Sequence, residues 1–222
     1  RVAAKTLLEN GAQVVASYRD EGKLAELFTF VGDLRDRVTG VKSDVTVEQG
    51  ARNLVEKAVE RRGRVDILFN IVGAYAGGSD VANMEESLWD SMMSTNLKST
   101  FLCSKAVLPY MIRQNHGRIV NVSSWLAFEK NRRVKSAAYA VSKAGVVVLT
   151  ETLALEVRNY DINVNCVVPS TIDTAANRRN MPKADPTKWV APKDIAEVML
   201  FLVSDESKVI SGASVPVYGK AQ

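Results

Sequence analysis

The chain has 222 residues, a length that suits one α/β domain with a sizeable core. Hydrophobic residues make up 46% and charged residues 24%, a balance that excludes a disordered or low-complexity chain, and no apolar run reads as long enough to span a bilayer. The net charge of +4 is scattered over helical patterns instead of gathered in a stripe, so no nucleic-acid partner is expected and Arg132-Arg133-x-Lys135 reads as a solvated loop.

In chain order, residues 1–10 read as a helix that stops at Gly11, with no signal-peptide pattern before it. Residues 12–18 form a strand, 20–30 a helix and 37–42 a short strand. Residues 47–62 are an amphipathic helix with Val47, Ala51, Leu54, Val55, Ala58 and Val59 on one face. A strand over 65–72 leads into a glycine-bearing loop, 73–78. One long helical pattern covers 85–114 and holds Cys103. His116 lies in a turn, which argues against a Ser-His-Asp triad. Residues 119–122 are a strand, 137–159 a helix and 162–168 a strand carrying Cys166. Residues 170–190 read as irregular, 192–204 as a helix and 213–218 as the last strand. Two cysteines in apolar patterns and one histidine suggest neither a disulfide framework nor a zinc site, so a reducing cytoplasm is the expected location.

Strands apolar on both faces and separated by helices predict a doubly wound parallel sheet, Rossmann-like, in three α/β/α layers and a single domain, 1–222. Such a fold has a first strand and a glycine-rich turn before its first helix, and the sequence opens at that helix. We expect the parent protein to carry both, since their lack would leave two neighbouring strands unpaired.

Tyr139-Ala-Val-Ser-Lys143 places a phenol and an amine on one helix face. A nearby cation favours tyrosinate, so Lys143 is expected to lower the Tyr139 pKa and fit it for acid/base work on a carbonyl oxygen. The spacing alone is common by chance, and the surroundings add weight. Ser123-Ser124 ends the strand IVNVSS, where a hydroxyl can donate to a substrate oxygen. Asn96 lies inside a helical pattern, where Asn is unfavourable, and reads either as functional or as solvent-facing.

The order Asn70…Gly73, Asn96, IVNVSS, Tyr139-x-x-x-Lys143, Pro169 resembles the short-chain dehydrogenase/reductase family over essentially the whole chain. The resemblance implies that Tyr139 is the acid/base and that Lys143 binds the nicotinamide ribose and tunes Tyr139. It implies that Ser124, not Ser123, orients the carbonyl, and that Asn96 holds a water in a proton relay. It places Asn70, Val72 and Gly73 at a strand-end cofactor contact, Asp44 and Val45 at the adenine ring, and Pro169, Ile172 and Thr174 at the carboxamide. Asp44 also reads as a residue of a helix start. The chain departs from the family in Asn70-Ile71-Val72-Gly73, usually Asn-Asn-Ala-Gly, and in Pro169-Ser170, usually Pro-Gly.

The second strand ends Tyr18-Arg19, without the carboxylate that accepts the NAD 2′-hydroxyl, and Arg19 can fork onto a 2′-phosphate. The pattern favours NADP(H) and leaves NAD(H) open. Residues 170–190 read as the substrate lid, with Met181 and Trp189 as an apolar wall and Arg178 or Arg179 toward a polar substrate, or else as a solvated surface segment. That stretch and Gly73-Ala-Tyr-Ala-Gly-Gly78 are similar to segments of dihydropteridine reductases, which typically lack the catalytic Ser. The expectation is a reductase of a small-molecule ketone or 3-oxoacyl carbonyl, with a pteridine-type heterocyclic substrate, a non-catalytic relative, or a dehydratase or epimerase as alternatives. The family resemblance also implies a homodimer or homotetramer through 85–114 and 137–159, whose apolar residues equally suit packing on the sheet.

Overall fold

The computed structural model describes residues 1–220. Helix α1 (Val2–Glu9) leads into strand β1 (Val14–Tyr18). Asp20 then starts α2 (Glu21–Val31) by accepting a hydrogen bond from Lys23 N at 3.2 Å, the side-chain cap that an exposed helix start needs. Strand β2 (Val38–Lys42), helix α3 (Glu48–Arg62) and strand β3 (Ile67–Asn70) follow. Next come α4 (Glu86–Met92), α5 (Ser99–Gln114), β4 (Gly117–Val122) and α6 (Ala137–Glu156). The chain finishes with β5 (Ile162–Pro169), α7 (Ala175–Asn180), α8 (Pro192–Phe201) and β6 (Ser214–Val217).

Every strand pair is parallel. β1 pairs with β2, and β3, β4, β5 and β6 hydrogen-bond in that order as a second run. Helices α3, α5 and α6 cover one face, where Val55, Val107, Met111 and Leu153 close over Ile119 and Val164. On the other face α8 buries Ile195, Met199 and Leu202 against Val120, Val167 and Val217, and α1 packs beside α8. Neighbouring residues of β4, Ile119 and Val120, thus go to opposite cores. Each such fully buried side chain contributes about 1.5–3 kcal/mol. The result is the doubly wound, three-layer Rossmann-like domain expected.

The long helical pattern at 85–114 is not one helix. A wide π turn, Met93–Lys98, separates α4 from α5. Asn96 sits in it with no exposed surface, so it is not solvent-facing. Two hydroxyls satisfy carbonyls at this turn: Ser99 Oγ donates to Thr95 O at 2.6 Å and Thr100 Oγ1 to Asn96 O at 3.0 Å. Gly145 of α6 lets the turn approach closely, since a Cβ there would stand 2.7 Å from Leu97 Cδ2.

Two further expectations change. The segment 170–190, read as irregular, contains α7 and is closed by a bridge between Ile172 and Val190. And α6, 20 residues long, is apolar enough to cross a bilayer by length and composition, contrary to the sequence reading. It has apolar residues on several faces because its inner side packs on β5, and half of it is buried in the domain.

Candidate active site

The carboxyl ends of β3, β4 and β5 form one edge, and the four candidate residues Asn96, Ser124, Tyr139 and Lys143 gather there. Ser124 follows β4 and its Oγ accepts from Leu126 N at 3.4 Å, which starts a short helical turn. Tyr139 lies in the first turn of α6. The Ser124 hydroxyl is near enough to its phenol to lower the phenol's pKa. The preceding Ser123 donates to Lys143 O at 2.8 Å, so it ties β4 to α6 and leaves Ser124 as the serine at the phenol. Lys143, one turn beyond Tyr139, is 5% exposed and gives one hydrogen bond to Val122 O at 2.8 Å.

Burial pushes the Tyr139 phenol above its ordinary pKa; Ser124 pulls it down and Tyr75 pushes it up. Lys143, whose amine donates to Val122 O, is not among these influences. Burial also moves Lys143 itself, from 10.5 down to about 8.

Asn96 serves as a brace. Its Oδ1 accepts from Ala74 N at 2.9 Å, and its Nδ2 donates to Ala74 O and to Ser142 Oγ, each at 3.0 Å. Ser142 in turn donates to Tyr139 O at 2.8 Å. Protein atoms thus bond both ends of the Asn96 side-chain amide. Sequence reasoning missed Ser142, although it stands inside the Tyr139-to-Lys143 motif. It also missed Asn121, which accepts from Asn70 Nδ2 at 2.8 Å and donates to Thr150 Oγ1 at 2.9 Å. Asn70 also donates to Ser104 at 3.2 Å, so its side chain faces into the layer beneath the edge.

The residues expected at a cofactor lie along the same edge. Ser17, Val45, Asn70, Ile71 and Val72 line one cleft together with Leu68, Thr100 and Cys103. Ile71 and Val72, just beyond the end of β3, are half exposed. Tyr18 ends β1 opposite Lys42. Arg19 beside it is 71% exposed and reaches only Asp44 Oδ2, at 4.0 Å. Asp44 Oδ1 accepts from Thr46 N at 3.0 Å and from Thr46 Oγ1 at 2.7 Å, and these bonds hold its carboxyl below the usual range. Pro169 ends β5. Ser170, where the family has glycine, has no positive φ and donates to Tyr218 O at 2.8 Å, so the serine fits a regular backbone. Thr174 Oγ1 caps α7 by accepting from Asn177 N at 3.1 Å. Arg178, one of two arginines read as facing either substrate or solvent, pairs with Asp173 at 2.6 and 2.8 Å.

The edge has the means to hold a nicotinamide nucleotide. Lys143 is an ammonium with three donors and one protein acceptor. Beside it Gly73 keeps space open, since a Cβ there would come within 3.0 Å of Asn96 Oδ1 and 3.1 Å of Lys143 Nζ.

Topology and edge chemistry together place the chain among the doubly wound α/β enzymes. The model of the short chain dehydrogenases matches residues 1–185. The 3-oxoacyl-[acyl-carrier-protein] reductase FabG of Thermotoga maritima is 35% identical, over 97% of this chain and 91% of that protein. Dehydrogenase/reductase SDR family member 6 of Danio rerio is 31% identical over 99% and 91%. A crystal structure of a short chain dehydrogenase from Bacillus anthracis superposes with a TM-score of 0.88 at 28% identity, covering 100% of this chain and 91% of that one. The chain belongs to this family: it is an NAD(P)-dependent short-chain dehydrogenase/reductase.

Proposed function

We propose that the enzyme reduces a ketone-type carbonyl of the 3-oxoacyl kind, prefers NADP(H), and uses Tyr139 as the acid/base. The observation that carries this reading is Tyr139 one helical turn from the buried Lys143, with Ser124 near enough to the phenol to lower its pKa. The 3-oxoacyl reductase among its relatives supports the substrate class. A pteridine-type substrate is disfavoured by Ser124, which dihydropteridine reductases typically lack.

When bound, the nicotinamide supplies the hydride. The protein's residues do the rest. A phenol with a raised pKa is protonated at neutral pH, so Tyr139 holds the proton that the substrate oxygen needs in the reductive direction. Ser124 donates to the same oxygen and fixes it at the phenol. Lys143 offers its two remaining donors to the ribose hydroxyls. Asn96 keeps Ala74, next to Gly73, in place beside the site where the nicotinamide would be held. Pro169, Ile172 and Thr174 form the carboxamide end, Asp44 and Val45 the adenine end, and 170–190 the substrate lid, with Met181 and Trp189 as its apolar wall. The exposed stripe Val141, Val148, Leu155 on α6 supports self-association as a dimer or tetramer.

Cofactor choice rests on Arg19. It is exposed and has only a 4.0 Å partner, so it is free to take a bidentate grip on a 2′-phosphate. Arg19→Ala is expected to weaken NADPH binding about 10- to 100-fold and to leave NADH binding unchanged, as read by fluorescence titration. Equal loss for both cofactors, or none for NADPH, contradicts the preference.

A further inference from the structure

Tyr75 has no part in the mechanism above, yet it is built into the site with unusual care. The loop that carries it is pinned at three places. Asn96 holds both main-chain groups of Ala74. The Tyr75 hydroxyl and Ser136 Oγ are hydrogen-bonded at 3.1 Å, and Ser136 is itself buried. Gly78 N donates to Lys135 O at 2.7 Å. At Gly77 the loops are in contact, since a Cβ would lie 2.8 Å from Lys135 O. The Tyr75 ring meets the Tyr139 ring edge to face, with centroids 5.0 Å apart and planes at 78°.

Despite these anchors Tyr75 is 64% exposed. Fixing an aromatic side chain costs conformational entropy, and burial usually offsets that cost. Here the ring is held in one orientation while much of its apolar surface stays in water. A rigid, exposed ring of this kind is suited to contact with a flat ligand group, because little further ordering is needed on binding. Its neighbour is the phenol at which the substrate carbonyl is placed.

We infer that Tyr75 is a specificity-determining residue, the wall against which an aryl or conjugated group flanking the substrate carbonyl lies. The inference rests on the reading of Tyr139 and Ser124 as the carbonyl site. It narrows the substrate class from ketones in general to those with a flat group beside the reacting carbon.

The test is a matched pair of 3-oxoesters, ethyl 3-oxo-3-phenylpropanoate and ethyl 3-oxohexanoate, with NADPH. The wild type is expected to favour the phenyl ester in kcat/KM. Tyr75→Leu removes the flat ring and is expected to lower the phenyl-to-propyl ratio about 2- to 10-fold. Tyr75→Phe loses only the bond to Ser136, and Tyr75→Trp enlarges the flat face; both are expected to keep the preference. An unchanged ratio in Tyr75→Leu overturns the inference, as does an equal loss for both esters in Leu and Phe variants, which marks a purely structural anchor. Should the Leu variant fail to fold, loss of the phenyl preference in Tyr75→Trp overturns it. Turnover of neither ester by the wild type overturns the ketone-reductase reading itself, a result distinct from a ratio that does not move.

Discussion

Tyr139→Phe is expected to lower kcat/KM about 10²- to 10⁴-fold with either nicotinamide, while the NADPH dissociation constant changes by less than about 3-fold. The substitution deletes one oxygen. It keeps the ring that packs against Tyr75 and leaves Ser142 bonded to the residue 139 carbonyl, so the start of α6 is undisturbed. What is lost is the phenol oxygen that the proposed reaction uses as its proton donor. Steady-state rates together with a cofactor titration separate chemistry from binding. Near wild-type turnover in the variant contradicts the role of Tyr139, and parallel loss of cofactor binding points to a folding defect.

The second large effect concerns stability. Lys143 is 5% exposed, and burial moves its pKa from 10.5 to about 8. Below about pH 8 both folded and unfolded chains hold the proton, and the folded state bears the full cost of a buried ammonium. A shift of this size corresponds to about 3 kcal/mol. Between about pH 8 and 10.5 the unfolded chain binds more protons than the folded one, so the stability difference moves in favour of the folded state as pH rises. Lys143→Met cannot titrate. Urea denaturation at about pH 7.5 and about pH 10.5 is expected to show the wild type gaining up to about 3 kcal/mol relative to Lys143→Met. Equal pH dependence in the two proteins contradicts the depressed pKa.

Local patterns made much of the fold legible. Period and end signals located the helices and strands, and the apolar runs at 119–122 and 162–168 revealed strands buried on both sides. Tyr139 and Lys143 could be read because their relation is local, one turn of a helix. The π turn at Met93–Lys98 could not, because a helical period persists on either side and the widening depends on where Asn96 finds partners. Those partners, Ala74 and Ser142, are 22 and 46 residues away. The direction of the Tyr139 shift was hidden for the same reason. Motif spacing shows that Lys143 is near, whereas only the fold shows its amine on Val122 O and the phenol buried. Tyr75 is the clearest case, since its meaning lies in contacts with Ser136, 61 residues on, and with Tyr139.

The central claim is hydride transfer to a carbonyl carbon. The direct measurement is NMR of the alcohol formed from a 3-oxoester with NADPH deuterated at the nicotinamide C4 position that gives up hydride. The account predicts one deuterium on the carbinol carbon for each NADPH oxidised, and loss of this transfer in Tyr139→Phe. Oxidation of NADPH without deuterium in the product, or no oxidation by the protein, would contradict it.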